Sequence, residues 1–245
     1  MSLLMVFSLT PSLTFAVENE IDTSWYDTAK TSFTISDATD LAGLAAIVNG
    51  TASSISADTF SGKTVTLSNN IDLSAYTDWT PIGNGTYDGS SYSGNSFKGT
   101  FNGAGYTVSG LTITADDGDN DDKYAALGLF GVLNGGTVKN LTLTDVSIKI
   151  DPASTAVGLM VNSAAVNDIT VGATGGDSSS ISGGVGVGGV VGRMLINGTI
   201  SGCTNYATIS SAYHIGGIVG AAYCATSGET MTIEDCANYG AITSA

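Results

Sequence analysis

Apolar residues along this chain recur in short alternating runs, and over most of its length they do not follow helical spacing. Five segments share one pattern: Thr107-Val108-Ser109-Gly110-Leu111, Thr137-Val138-Lys139-Asn140-Leu141, Ala165-Val166-Asn167-Asp168-Ile169, Thr199-Ile200-Ser201-Gly202-Cys203 and Thr232-Ile233-Glu234-Asp235-Cys236. Their starts lie 30, 28, 34 and 33 residues apart. The second position is always Val or Ile and the third is polar. The fourth is Gly, Asn or Asp, the residues that tolerate left-handed backbone, so it marks a bend. A second motif is a glycine-framed tetrad: Gly128-Leu129-Phe130-Gly131, Gly158-Leu159-Met160-Val161, Gly189-Val190-Val191-Gly192 and Gly217-Ile218-Val219-Gly220. Its second copy departs, with Val161 in the place of the closing glycine.

Each repeat is two or three short β-branched strands separated by bends. One such unit cannot bury its own apolar face, whereas stacked copies bury a continuous core. Hairpins need tight two-residue turns at regular places, and none are so placed. The pattern predicts an all-β fold, a right-handed parallel β-helix, the hand following from strand twist. Val108, Val138, Val166, Ile200 and Ile233 are expected to form one inward column. Leu111, Leu141, Ile169, Cys203 and Cys236 are expected to form another.

The first third reads differently. Ser36-Asp37-Ala38-Thr39-Asp40 precedes Leu41, Leu44, Ala45, Ile47 and Val48, and Asn49-Gly50 follows. A capping cluster, an amphipathic stretch and a glycine stop predict a helix over about residues 38–49. A helix ahead of a solenoid suits an end cap, since a first coil exposes apolar surface and unpaired edges. Residues 1–16, MSLLMVFSLTPSLTFA, read as the apolar half of a secretory signal peptide, although no Lys or Arg precedes position 30. The expected organisation is a signal peptide over 1–16, a capping module with the first coils over 17–113, and β-helix repeats over 114–245. The chain stops in mid-repeat at Ser244-Ala245, which reads as truncation.

At these residues the chain is similar to a known family. Phe33-Thr34-Ile35, Val65-Thr66-Leu67, Ile71-Asp72-Leu73, Trp79-Thr80-Pro81-Ile82-Gly83 and Phe97-Lys98-Gly99-Thr100-Phe101-Asn102-Gly103 resemble an N-terminal module of gut and oral bacterial surface proteins. The tetrads resemble the GLUG repeat of adhesin-like bacterial proteins and of the non-catalytic part of immunoglobulin A proteases. The resemblance spans roughly residues 33–243 and implies a β-helical surface protein. It implies no proteolysis, because a His-Glu-x-x-His site needs two histidines and His214 is the only one.

Charge narrows the functions further. The chain carries 22 acids against 7 bases, a net charge of −15, with no basic stripe. Phosphate backbones are repelled, so nucleic acid is not an expected partner. Mean hydropathy of +0.24 excludes a disordered acidic chain. Three cysteines, Cys203, Cys224 and Cys236, allow at most one internal bridge. Cys203 and Cys236, on adjacent coils, are expected to be buried and reduced.

Four further groups carry candidate chemistry. Asp117, Asp119 and Asp121 have the 1-3-5 spacing of a calcium loop, but Asp122 replaces the turn glycine and Gly128 the closing Glu. Calcium is therefore expected weakly if at all, at about 10⁻⁴ to 10⁻³ M, the alternative being a solvated acidic loop. Asn205 and Asn238, each followed by Tyr, are expected to form a structural ladder. Tyr76, Tyr87 and Tyr92, in a polar loop with Trp79, are candidates for contact with a glycan or protein. Asp145, Asp151, Asp168, Glu234 and Asp235 are spread over several coils, without the paired carboxylates that glycoside hydrolysis needs. The expectation is a non-enzymatic, exported adhesin or stalk, extracellular or at the cell surface, without membrane insertion of the mature chain. Its partner would be a glycan or a host surface protein. The alternatives are the spacer of a larger secreted enzyme or a polysaccharide-active β-helix enzyme.

Overall fold

The computed structural model describes residues 20–84, 86–87, 92–115, 126–150, 156–162, 164–173, 178–182, 186–194, 197–211, 214–223, 228 and 230–244. Residues 1–16, read as a signal peptide, and the 116–122 acidic loop lie outside them. The alternating runs form three parallel sheets that wind as a β-solenoid of about five turns. The first sheet has a path of seven strands: Ser32–Ile35, Thr64–Leu67, Thr100–Asn102, Thr137–Thr144, Ala165–Val171, Thr199–Ser201 and Thr232–Glu234. The second runs Val132–Asn134, Ala156–Asn162, Gly186–Met194 and Ile215–Gly216, with Val219–Ala222 beside Gly186–Met194. The third stacks Thr112–Ala115, Ser147–Ile150, Ser180–Ser182, Thr208–Ser211 and Ile242–Ser244. Among the described residues, antiparallel pairing occurs between Thr86–Tyr87 and Tyr92–Ser93 alone.

In-register parallel pairing turns sequence repeats into columns of like side chains. Val138, Val166, Ile200 and Ile233 are successive partners. The expected first member is wrong. Val108 pairs with Leu143 and Ile71, and the place below Val138 belongs to Phe101, then Val65 and Phe33. The cause is the long strand Thr137–Thr144, which takes two short strands end to end, Thr100–Asn102 and then Thr107–Ser109. Between those two strands the chain turns at Ala104 and Gly105, with φ of 53° and 84°. Gly103 permits this turn, because a Cβ there would sit 2.3 Å from the Asn140 carbonyl oxygen. Leu111 moves with Val108: Thr112 pairs with Ser147, so Leu111 precedes that pair on its rung as Val146 does on the next.

The fourth position of the repeat adopts left-handed backbone in all five copies. φ is 72° at Gly110, 54° at Asn140, 53° at Asp168, 63° at Gly202 and 52° at Asp235. That is the composition those positions need.

Helix α1 spans Ala38–Asn49. The Asp37 side chain accepts from the Thr39 and Asp40 amides, and Gly50 closes the helix at φ 70°. Leu41, Leu44, Ile47 and Val48 join the same apolar core as the rungs. The segment before the first strand lies over the helix at Gly43, where a Cβ would meet the Asp22 carbonyl oxygen at 1.9 Å. Trp25, Tyr26, Phe33 and Phe60 pack edge-on and tilted beside it. Lys63 lies over the Tyr26, Phe33 and Phe60 rings and pairs with Asp58, which also accepts from the Tyr26 hydroxyl. Burial pushes the Asp58 carboxyl up, but bonds from Lys63, Tyr26 and the Phe60 amide outweigh it and hold it below its ordinary value. This end of the solenoid is closed by a helix, aromatics and one ion pair.

Candidate binding groove at the capped end

The same packing leaves a groove of about 460 Å³ between α1 and the segment that follows the second rung. Ala42, Ala45 and Ala46, at i, i+3 and i+4, line its helix side. Tyr76, Asp78, Trp79, Thr80 and Asn84 line the other side, with Ile21, Asn49 and Thr51 at its ends. Small side chains on the helix make the room.

Asn49 fixes the two walls together. It is buried, its Nδ2 donates to the Pro81 carbonyl oxygen at 2.9 Å, and its Oδ1 accepts from the Gly83 amide at 2.9 Å. The Asn95 Nδ2 donates to the Asn49 carbonyl oxygen at 3.0 Å and to Asn84 Oδ1 at 3.1 Å. Those bonds pin the base of the short Thr86–Tyr87/Tyr92–Ser93 hairpin at the rim of the groove.

Of the three candidate tyrosines, Tyr76 stands on the groove but packs into its wall. It is 6% exposed, its ring meets Trp79 edge-on at 5.9 Å, and its hydroxyl donates to the Glu20 carbonyl oxygen at 2.5 Å. Burial, with the charges of Asp37 and Glu20 behind it, raises its phenol above the ordinary value. Trp79 is buried too and donates its Nε1 proton to the Leu129 carbonyl oxygen at 3.1 Å. Tyr87 and Tyr92 are backbone partners on the hairpin. Asp78, exposed at the groove, was not singled out from the sequence. Neither were Asn49 and the three alanines. Nothing local marks them, since Asn49 meets Pro81 across 32 residues of chain.

The remaining candidates sit elsewhere on the solenoid. Cys203 is fully buried, and Cys236 is half-buried on the next rung; both are free thiols. The Cys203 thiol reaches the Ser201 carbonyl oxygen at 3.3 Å and the Val166 carbonyl oxygen at 3.6 Å. Burial, above all, pushes its pKa up to about 12. Asn205 is the rung partner of Val171 and of Asn238. Its Nδ2 donates to Asn238 Oδ1 at 2.7 Å and to the Ala207 carbonyl oxygen at 3.0 Å, and its Oδ1 accepts from the Ala207 amide at 3.2 Å. Tyr206 and Tyr239 stack at 5.1 Å with a 15° interplanar angle. Asp117, Asp119, Asp121 and Cys224 lie outside the described residues.

Among the described residues, no group of three or more His, Cys, Asp or Glu could hold a metal ion. Arg193 and His214 both lie near Tyr223: the guanidinium carbon lies 5.8 Å and the imidazole 6.4 Å from its ring centre. No described helix is long and apolar enough to cross a membrane.

No family model matches the chain. Over 109 residues it is 35% identical to a protein of Evansella cellulosilytica provisionally named a Gly-rich membrane protein, covering 41% of this chain and 11% of that one. Over 160 residues it is 31% identical to halomucin of Haloquadratum walsbyi, covering 64% of this chain and 2% of halomucin. The chain therefore spans only a small part of the length of these curated relatives. Neither relative's name describes an enzyme. The crystal structure of a protein from Bacteroides ovatus, provisionally named an immunoglobulin A1 protease, matches with a TM-score of 0.52 at 16% identity. The match covers 87% of this chain and 67% of that one and shows a shared fold.

Proposed function

We propose that this chain is a non-enzymatic module of an exported bacterial surface protein, an adhesin or stalk that binds glycan or host protein in the groove at its capped end. One observation carries this reading. The groove is formed by the packing of α1 against the segment after the second rung, and among the described residues its lining holds one carboxylate, Asp78, and no Lys, Arg or His. Acid–base hydrolysis of a glycosidic bond needs two placed carboxylates, so this arrangement suits holding a ligand better than cleaving it. The apolar leader, the acidic surface and the GLUG-like tetrads support export and surface display. So do relatives named as a membrane protein and a halomucin.

A second reading is the spacer of a larger secreted enzyme. It is favoured by the small share of its relatives that the chain covers. A glycan array together with a reducing-sugar assay on the bound glycans tests the first reading. Binding without sugar release is the expected result. Release of sugar, lost in Asp78→Asn, would instead make the groove an active site.

A further inference from the structure

We propose that Cys203 and Cys236 form a redox-sensitive staple, a dithiol under reducing conditions and a disulfide under oxidising ones, which locks the last described rung onto the core. Register brings the two together. Ser201 pairs with Glu234 and Thr204 with Ala237, so the cysteines between them lie opposite one another. Backbone bonds bracket the pair: the Gly202 amide donates to the Glu234 carbonyl oxygen at 3.2 Å and the Ala237 amide to the Cys203 carbonyl oxygen at 2.8 Å. Gly202 and Asp235, one residue before each cysteine, share the same left-handed bend, so both side chains leave the backbone alike. The two thiols are hydrogen-bonding neighbours.

Parallel partners lie about 4.8 Å apart, inside the range of roughly 4.4–6.8 Å between the Cα atoms of a disulfide. Side chains of one column run parallel, so the Cβ atoms must close from that spacing to about 3.8 Å. Thr199–Ser201 and Thr204–Asn205 are paired on both sides, whereas among the described residues Thr232–Glu234 and Ala237–Asn238 each pair on one side only. The movement therefore falls to Cys236. A bridge closed in that way is strained and correspondingly easy to reduce, which suits a reversible switch. Half-buried Cys236 is the entry point. Its thiolate attacks one sulfur of a low-molecular-weight disulfide, such as oxidised glutathione, and displaces one thiolate. Cys203 then gives its proton to solvent and attacks the Cys236 sulfur, displacing the second. Two protein thiols are oxidised and one disulfide is reduced to two thiols. Burial holds the Cys203 thiol protonated, so the second step is slow near neutrality and speeds as pH rises. Oxidising conditions prevail outside the cytoplasm, so the export proposed above would set the staple.

The test incubates the 245-residue chain with oxidised and then with reduced glutathione. Oxidation should make the intact chain two hydrogens lighter, peptide mapping should join Cys203 to Cys236, and reduction should reverse both. Cys224→Ser should bridge in the same way, whereas Cys236→Ser, folded by its thermal melt, should not join to Cys203. Closure should quicken about tenfold from pH 7 to pH 8. Hydrogen exchange at Thr232–Glu234 should slow at least about tenfold in the bridged form. A glutathione adduct that persists on Cys236, a bridge that uses Cys224, or no oxidation of the folded chain would overturn the staple. A Cys203–Cys236 bridge that leaves exchange unchanged would overturn its locking of the rung.

Discussion

At the scale of single residues, the Asn205–Asn238 pair and the glycines opposite it depend on one another. Asn205 takes a column position that Ile71, Val108, Leu143 and Val171 fill on earlier rungs. A polar side chain survives at 0% exposure because it is bonded on both sides. It also needs space. A Cβ at Gly189 would lie 2.4 Å from Asn205 Cγ and 2.3 Å from the Gly217 carbonyl oxygen, and one at Gly217 would lie 2.2 Å from Asn238 Cγ. The leading glycine of the last two tetrads is thus what admits the asparagine. Gly189→Ala should cost about 1–3 kcal/mol by overpacking. Asn205→Leu should cost about 1–3 kcal/mol for each Ala207 backbone group left unpaired. Urea denaturation measures both, and an unchanged midpoint in either would mean the rung relaxes freely. Cys203 carries a pH prediction. Its thiol pKa rises from 9.0 to about 12 in the fold, so burial favours the neutral form. Its contribution to stability is complete below pH 9 and is lost as pH climbs toward 12. At pH 8 iodoacetamide should modify Cys236 first and reach Cys203 only on unfolding, as read by mass spectrometry of peptides.

At the scale of elements, the helix shows what local chemistry can announce. Asp37 caps it, and the Asp40 amide, the Thr39 hydroxyl and the Thr39 amide hold the Asp37 carboxyl below its ordinary value of 3.8. A lowered carboxyl stabilises the fold above that value, and the stabilisation is lost as pH falls through the folded one. Asp37→Ala should therefore cost about 1 kcal/mol at pH 7. The gap to the parent should narrow in melts as pH falls below 3.8 and through the lower folded value, and a gap that persisted once the carboxyl was protonated would show the cap acting through shape alone. This helix was readable because its cap, its apolar spacing and Gly50 are contiguous in sequence, and the bends were readable because only a few residues tolerate positive φ. The solenoid was likewise legible in the repeat. The register of its early rungs was not. Val108 matches the later repeats in sequence, yet Gly103 and the turn after it move that segment along the long strand, from Val138 to Leu143. Matching by residue type cannot see such a turn, because the decisive contact, Gly103 against Asn140, spans 37 residues. The groove was half legible. Its polar aromatic loop stood out, but the opposite wall is three alanines that only the packing of α1 brings there.

At the scale of the whole molecule, the stack is asymmetric. The first rung is covered, with Phe33 and Ile35 at 6% and 0% exposure, whereas Ile233, Ile242 and Tyr239 on the last described rung are 49%, 45% and 69% exposed. In a solenoid each rung contacts mainly its neighbours, so stability is close to a sum of rung and interface terms, and opening can start where an interface is missing. One column then gives a graded test with the same chemistry at each step. Ile200→Ala removes a side chain enclosed by rungs on both sides and should cost about 2–5 kcal/mol. Ile233→Ala, one rung on in the same column, should cost about 0.5 kcal/mol or less, as at an exposed site. Hydrogen exchange in the parent protein should follow the same order. Among the described residues, the strand Thr232–Glu234 pairs with one neighbour only, so its amides should exchange well before those of Thr199–Ser201, and the rungs joined to α1 should exchange last. Equal protection from end to end would mean that the seven-strand path opens as a single cooperative unit. In that case the cap at one end would be holding the far rungs as firmly as the near ones, and the nearest-neighbour account of this solenoid would fail.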